Sequence, residues 1–203
     1  MTEVLGSLHV SVHRCTANMP SEERTHDGIA AGGKRLAQEV RRVVGETQMA
    51  GARPLSVSFW GHSLGGLYVR YALAGLMDTG TDAGTIAGLR PCLFLTTACP
   101  HLGVAGTLPK PLLDFAAAVG ASSRTCEELF LEDEDVLVLR LARDDKFLAP
   151  LKLFPFRALV ANAWNDWIVD ACTATLQPHQ PLWLLDEEHA GDAPCVLHDT
   201  LSW

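Results

Sequence analysis

The stretch SVSFWGHSLGGLYVRYALAGL, residues 56–76, decides how this chain is read. Pro54 biases its predecessor away from helix, and the short run from Leu55 to Trp60 reads as a strand of the kind buried in a parallel sheet. A helix is expected from Leu64 to about Met77. Between them stands Gly61-His62-Ser63-Leu64-Gly65, a G-x-S-x-G pattern at a strand-to-helix junction, where the turn is so tight that small residues must flank the serine. Gly61 and Gly65 are expected to remove colliding side chains, and Gly66 to let the helix pack close to its neighbours. Such a turn lifts the Ser63 hydroxyl above the sheet edge. It also sets the Leu64 backbone N–H at a helix N-terminus, where it can stabilise an oxyanion.

On the N-terminal side, Leu36, Val40, Val43 and Val44 recur at helical spacing with charged residues on the other faces, which predicts an amphipathic helix over Ile29 to Val44. Leu8, Val10 and Val12 alternate with polar residues and predict a first strand, with MPSEERTHDG after it as loop. On the C-terminal side, Cys92 to Thr97 reads as a second buried strand and FRALVANA, from Phe156 to Ala163, as a third. A short helix is expected over Pro111 to Val119. The acidic LEDEDV reads as the solvated start of a helix continuing into VLVLRLA rather than as a metal site. Strand and helix alternate, so the chain is expected to form one α/β domain over residues 1–203, a mostly parallel sheet with helices on both faces.

Composition narrows the function. The 203 residues are 48% hydrophobic, enough for one sizeable core, and 24 acidic against 16 basic residues give a net charge of -8. With no basic run, nucleic acid is excluded as the expected partner. The six cysteines form no CxxC pair or regular framework and read as reduced, mostly buried thiols. No stretch is long and apolar enough for a membrane span and the start lacks a signal-peptide pattern, so the expected location is cytoplasmic, with transient contact at a membrane surface left open.

An exposed serine needs a base, and the base needs an acid that fixes its tautomer, so the order Ser, Asp or Glu, His is the pattern to seek. Asp166 fits the acid position, just past the third strand, where a carboxylate shares the sheet edge with Ser63. Asp170 is its rival, and a helix N-cap is the alternative role for Asp166. His179, His189 and His198 are the histidines that follow; His198, after Cys195-Val196-Leu197, is the best placed by order. His62 reads as a packing and hydrogen-bonding residue beside the oxyanion and substrate site, because its adjacent position reaches Ser63 poorly.

These residues resemble the "putative serine esterase" family of the α/β-hydrolase superfamily. THDGIAAGGKRLAQEV is similar to the family's segment before the elbow strand, SFWGHSLGGLYVRYALAGL to its elbow and helix, and FLTTACPHLGV to its TPHLG-type loop. RTCEELFLEDED and FRALVANAWNDWIVD match two further blocks, so the resemblance covers roughly residues 8 to 175. It implies Ser63 as nucleophile and Asp166 as triad acid, and places Pro100-His101-Leu102-Gly103 beside the site. There His101 is either a substrate contact or a hydrogen-bonded structural residue. Cys99 stands where the family usually has threonine. The family's HG-type loop, source of a second oxyanion donor, has no counterpart before Leu8, and its terminal alanine-histidine loop has none after CVLHDTLSW. The resemblance therefore implies an α/β-hydrolase-like domain lacking its first strands and C-terminal end, with His198 as a substitute base.

The expected function is a serine hydrolase of the esterase or lipase type acting on a small-molecule or lipid ester, with no metal and no organic cofactor. A non-catalytic fragment that keeps the elbow as a fold element is the alternative. An amidase, peptidase or thioesterase would use the same machinery on another acceptor.

Overall fold

In a computed structural model, which describes residues 10–19, 23–105, 123–163, 166 and 168–177, the chain is built around one helix on a small parallel sheet. The elements are α1 (Glu23–His26), α2 (Ile29–Met49), β1 (Ser56–His62), α3 (Leu64–Leu76), a 3-10 turn at Gly80–Asp82, β2 (Arg90–Thr97), α4 (Arg124–Leu129), α5 (Leu137–Arg143), α6 (Asp145–Lys152), β3 (Phe156–Val160) and α7 (Ala171–Thr175). The strands lie in the order β1-β2-β3, all parallel. Register sets Trp60 beside Leu95 and Leu95 beside Ala158, and it sets His62, Thr97 and Val160 in one row. The three strands thus end level with one another. Each is joined to the next through helices, the connection that parallel pairing demands.

Apolar α3 is the centre of the core. Leu67, Leu73 and Leu76 are fully buried, and α3 lies over the sheet face that carries Phe59 and Phe94, with the Phe154 ring 6.1 Å from each of theirs. α2 packs along α3 because its Gly32 and Gly33 leave room: a Cβ on Gly33 would come 2.7 Å from that of Tyr71. α6 covers α3 from another side through buried Phe147, against which Tyr71 stacks at 5.5 Å. Each such ring or leucine contributes about 1.5–3 kcal/mol by leaving water.

The N-terminus of α2 is capped from far along the chain. The Ile29 N–H donates to Glu128 Oε2 at 2.5 Å and the Gly28 N–H to Thr125 Oγ1 at 3.0 Å, while Thr125 Oγ1 donates to the Thr25 carbonyl at 2.6 Å. Gly28 is needed there, since its φ is 104° and a Cβ would stand 2.9 Å from Arg124 Cγ. The sequence blocks THDGI and RTCEEL are therefore two halves of one joint.

Several expectations are corrected. Val10 and Val12 belong to no strand and are 85% and 89% exposed, while Leu8 lies outside the described residues. The segment is held to α2 instead of a sheet edge: the buried Glu39 carboxylate accepts the Thr16 N–H at 3.0 Å and the Ala17 N–H at 2.7 Å and pairs with His13 Nε2 at 2.9 Å. Burial opposes ionisation of Glu39, yet these partners hold its carboxyl below the usual range. On the face away from α3 the described residues leave Trp60 72% and Phe156 65% exposed, so the helices expected on that face lie outside what they show. In the acidic cluster, Asp133 is buried and accepts the Leu137 N–H at 2.9 Å, so it caps α5 rather than standing in solvent as its neighbours do. The five described cysteines are free thiols, but only Cys99 is buried. The helix expected over Pro111 to Val119 lies outside the described residues. Among those residues no helix is long and apolar enough to cross a membrane.

Candidate active site

One residue joins β1 to α3, and that residue is Ser63. Its φ of 51° and ψ of -131° lie where an L-residue is strained, at a cost on the order of 1–3 kcal/mol. Hydrogen bonds hold it there. The Ser63 N–H donates to the Thr97 carbonyl at 2.9 Å, and the Ser63 carbonyl accepts the Gly66 N–H at 3.0 Å. Ser63 stays half-buried at the N-terminus of α3, whose Leu64 and Gly65 N–H groups have no carbonyl one turn back within the helix to bond to.

Gly61 and Gly66 act as expected, whereas Gly65 does not. A Cβ on Gly61 would lie 2.5 Å from Gly66 Cα, and one on Gly66 would run into the Cys99 side chain, with Cys99 Cβ at 2.9 Å and Thr96 Cγ2 at 3.1 Å. At Gly65 nothing lies within 4 Å. The close approach is thus between β1 and the second glycine of the pair. Gly66→Ala is expected to destabilise the fold by about 1–3 kcal/mol, and Gly65→Ala to leave it unchanged or raise stability by up to about 1 kcal/mol; urea denaturation of the two variants checks the contrast.

Because the strands end level, the turns after them share one edge. Ser63 follows β1, the loop Ala98 to Val104 follows β2, and Asp166 follows β3. The Asp166 carboxylate accepts N–H bonds from Val169 at 2.9 Å and Ile168 at 3.2 Å, and the Asn162 side-chain amide donates to it at 2.7 Å. Burial works against its charge, but these bonds and the nearby His62 ring outweigh that and hold the carboxyl below the ordinary value. The helix-cap role falls to its rival: Asp170 accepts the Thr173 N–H at 2.9 Å as N-cap of α7.

His62 is exposed at the end of β1, with Nδ1 3.0 Å from Thr97 Oγ1, which also accepts the Trp60 indole N–H at 3.2 Å. His101 is in the core, 1% exposed, its Nε2 2.8 Å from Thr96 Oγ1 and its Nδ1 3.1 Å from the Arg70 guanidinium. Those contacts fit the structural alternative for His101. Thr173 fastens the same loop, accepting the Leu102 N–H at 2.9 Å and donating to the Gly103 carbonyl at 2.8 Å. His198, His179 and His189 lie outside the described residues.

Two residues escaped the sequence reading. Thr97 gathers Ser63, Trp60 and His62, and nothing in its sequence position marks it. Arg70 did carry a signal, as the sole charge in an otherwise apolar helix.

The chain matches the family model "Putative serine esterase (DUF676)" over residues 7–177. It is similar to "Putative lipase C4A8.10" of Schizosaccharomyces pombe, 31% identical over an alignment of 182 residues that covers 86% of this chain and 23% of that protein. It is also similar to "Putative lipase ROG1" of Saccharomyces cerevisiae, 29% identical over an alignment of 182 residues that covers 81% of this chain and 25% of that protein. The chain thus spans about a quarter of the length of these curated relatives. No solved structure matches it.

Proposed function

Because the chain belongs to the "Putative serine esterase" family, we propose that it is an α/β-hydrolase-type carboxylic ester hydrolase in which Ser63 is the nucleophile. The observation that carries this reading is the conformation of Ser63, held strained at a one-residue turn on the edge from which Asp166 also emerges. In the reaction, Ser63 Oγ attacks the ester carbonyl while a histidine takes its proton, and the tetrahedral oxyanion forms against the Leu64 N–H at the start of α3. The histidine then gives that proton to the leaving alcohol. Asp166 orients the histidine and stabilises its charged form, and His198 is the candidate base within this chain. Water repeats the sequence on the acyl-enzyme and releases the acid.

A lipid ester is the substrate class we infer, since the relatives carry the name lipase. The free thiols at Cys15, Cys92, Cys99, Cys126 and Cys172 fit the reducing cytoplasmic compartment we assign. The test is covalent: incubation with a fluorophosphonate is expected to add one phosphonyl group as fluoride leaves, and peptide mapping is expected to locate it on Ser63. A fully folded chain that takes no label, or takes it on another serine, overturns the reading.

A further inference from the structure

Arg70 is buried to 3% exposure in the middle of α3. Buried arginines are as a rule paired with a carboxylate, because an unpaired charge in the interior is costly. Among the described residues Arg70 has neutral partners only. Its Nη2–H donates to the Leu141 carbonyl of α5 at 2.6 Å, its Nη1–H approaches His101 Nδ1 at 3.1 Å and the His101 carbonyl at 3.5 Å, and its Nε–H finds no partner among the described residues. No ion pair among the described residues includes it.

The titratable groups against it do not neutralise it either. Burial and Arg70 itself push His101 down to about 3, so the imidazole stays neutral; with Nδ1 accepting from Arg70, the ring proton sits on Nε2 toward Thr96. Burial pushes the Cys99 thiol up to about 12, and α5 contributes only the Leu141 carbonyl. Burial lowers Arg70 to about 10, which leaves it cationic at neutral pH.

Its location gives this charge a use. Arg70 stands one helical turn beyond Gly66 on the same side of α3, and Gly66 lies against Thr96 and Cys99, whose neighbours Thr97 and His101 contact Ser63 and Arg70. Along the helix axis it is about 10 Å from Ser63. We propose that Arg70 is an unneutralised cation stationed beneath the nucleophile, where its field stabilises the negative charge that develops on the substrate oxygen. The inference rests on the esterase reading. Arg70 touches no reacting atom and is not a catalytic residue; it acts at a distance, adding to the Leu64 N–H and the positive end of α3. Since its hydrogen bonds hold it in place, nothing need reorganise when the oxyanion forms. Coulomb's law at about 10 Å with an effective dielectric near 20 makes this worth roughly ten-fold in rate.

The experiment compares Arg70→Met and Arg70→Gln with Arg70→Lys, on a short p-nitrophenyl ester and on an arylboronic acid, whose adduct with the serine is an anionic tetrahedron. The neutral variants are expected to lose roughly ten-fold in kcat and in boronate affinity with KM unchanged, while the lysine variant keeps most of both. A buried lysine has a depressed pKa, so Arg70→Lys is also expected to lose activity on the alkaline side at a pH where the parent does not. That signature stands even if both neutral variants fail to fold. Lysine and neutral variants that behave alike, a loss confined to KM, or a lysine variant without the added alkaline limb overturns the inference. A parent that takes the fluorophosphonate while its Arg70 variants keep full rate and boronate affinity overturns this inference alone. A parent with neither labelling nor turnover overturns the esterase reading and this inference with it.

Discussion

On the esterase reading, Ser63→Ala is expected to lower ester hydrolysis by a factor on the order of 10⁶, the scale at which loss of the nucleophile in serine hydrolases leaves only binding and oxyanion stabilisation. The oxyanion donors in α3 and the edge residues are untouched by the change, so the loss falls on kcat. A p-nitrophenyl ester assay with active-site titration measures it, and a variant within ten-fold of the parent would place the nucleophile elsewhere. The same position gives a second readout. At φ 51° and ψ -131° alanine is as strained as serine, whereas glycine is not. Ser63→Gly is therefore expected to be as inactive as Ser63→Ala but more stable, by about 1 kcal/mol or somewhat more.

Asp166→Asn is expected to lower turnover about 10⁴-fold while leaving the fold intact, the loss that follows when the base is held in the wrong tautomer. The substitution is nearly silent structurally. An asparagine carbonyl still accepts the Val169 and Ile168 N–H groups, and only the bond from Asn162 must rearrange. Asp170→Asn is the control, since asparagine caps a helix as well as aspartate does, and it is expected to leave turnover within a few-fold. A large loss at Asp170 with none at Asp166 would move the acid one helical turn along the chain.

What was legible in the sequence was local. The α2 stripe, the elbow and β1, β2 and β3 all announce themselves through spacing or through a continuous apolar run, and their bounds in the structure differ from expectation by a few residues. What failed depended on partners far away in sequence. Val10 and Val12 have a strand's alternation but no adjacent edge, because Glu39 draws the segment onto α2. Asp133 looks like one more acid in a solvated cluster until the start of α5 folds onto it. Gly66 packs close to its neighbours as its place after the elbow implied, but Gly65, read as relieving a collision, meets nothing within 4 Å, because that depends on the angle at which α3 leaves the sheet. For the candidate site, the residue types and their order pointed to Ser63 and Asp166, which the structure sets after β1 and β3 on one sheet edge. The neutral surroundings of Arg70 had no signature of their own, since they are carbonyls and an imidazole drawn from α5 and the loop after β2.

The joint at the start of α2 also sets a timetable for synthesis. The bonds from Gly28 and Ile29 to Thr125 and Glu128 span 97 and 99 residues. As the chain leaves the ribosome, α2 and its glycine-lined contact with α3 are available early, but the donors at its first turn have no acceptor until the α4 residues have followed. At about 5–20 residues per second, that interval lasts roughly 5–20 seconds. During it the first long helix of the core is held at its flank while its first N–H groups wait for their acceptors, so fraying is expected to begin at its origin.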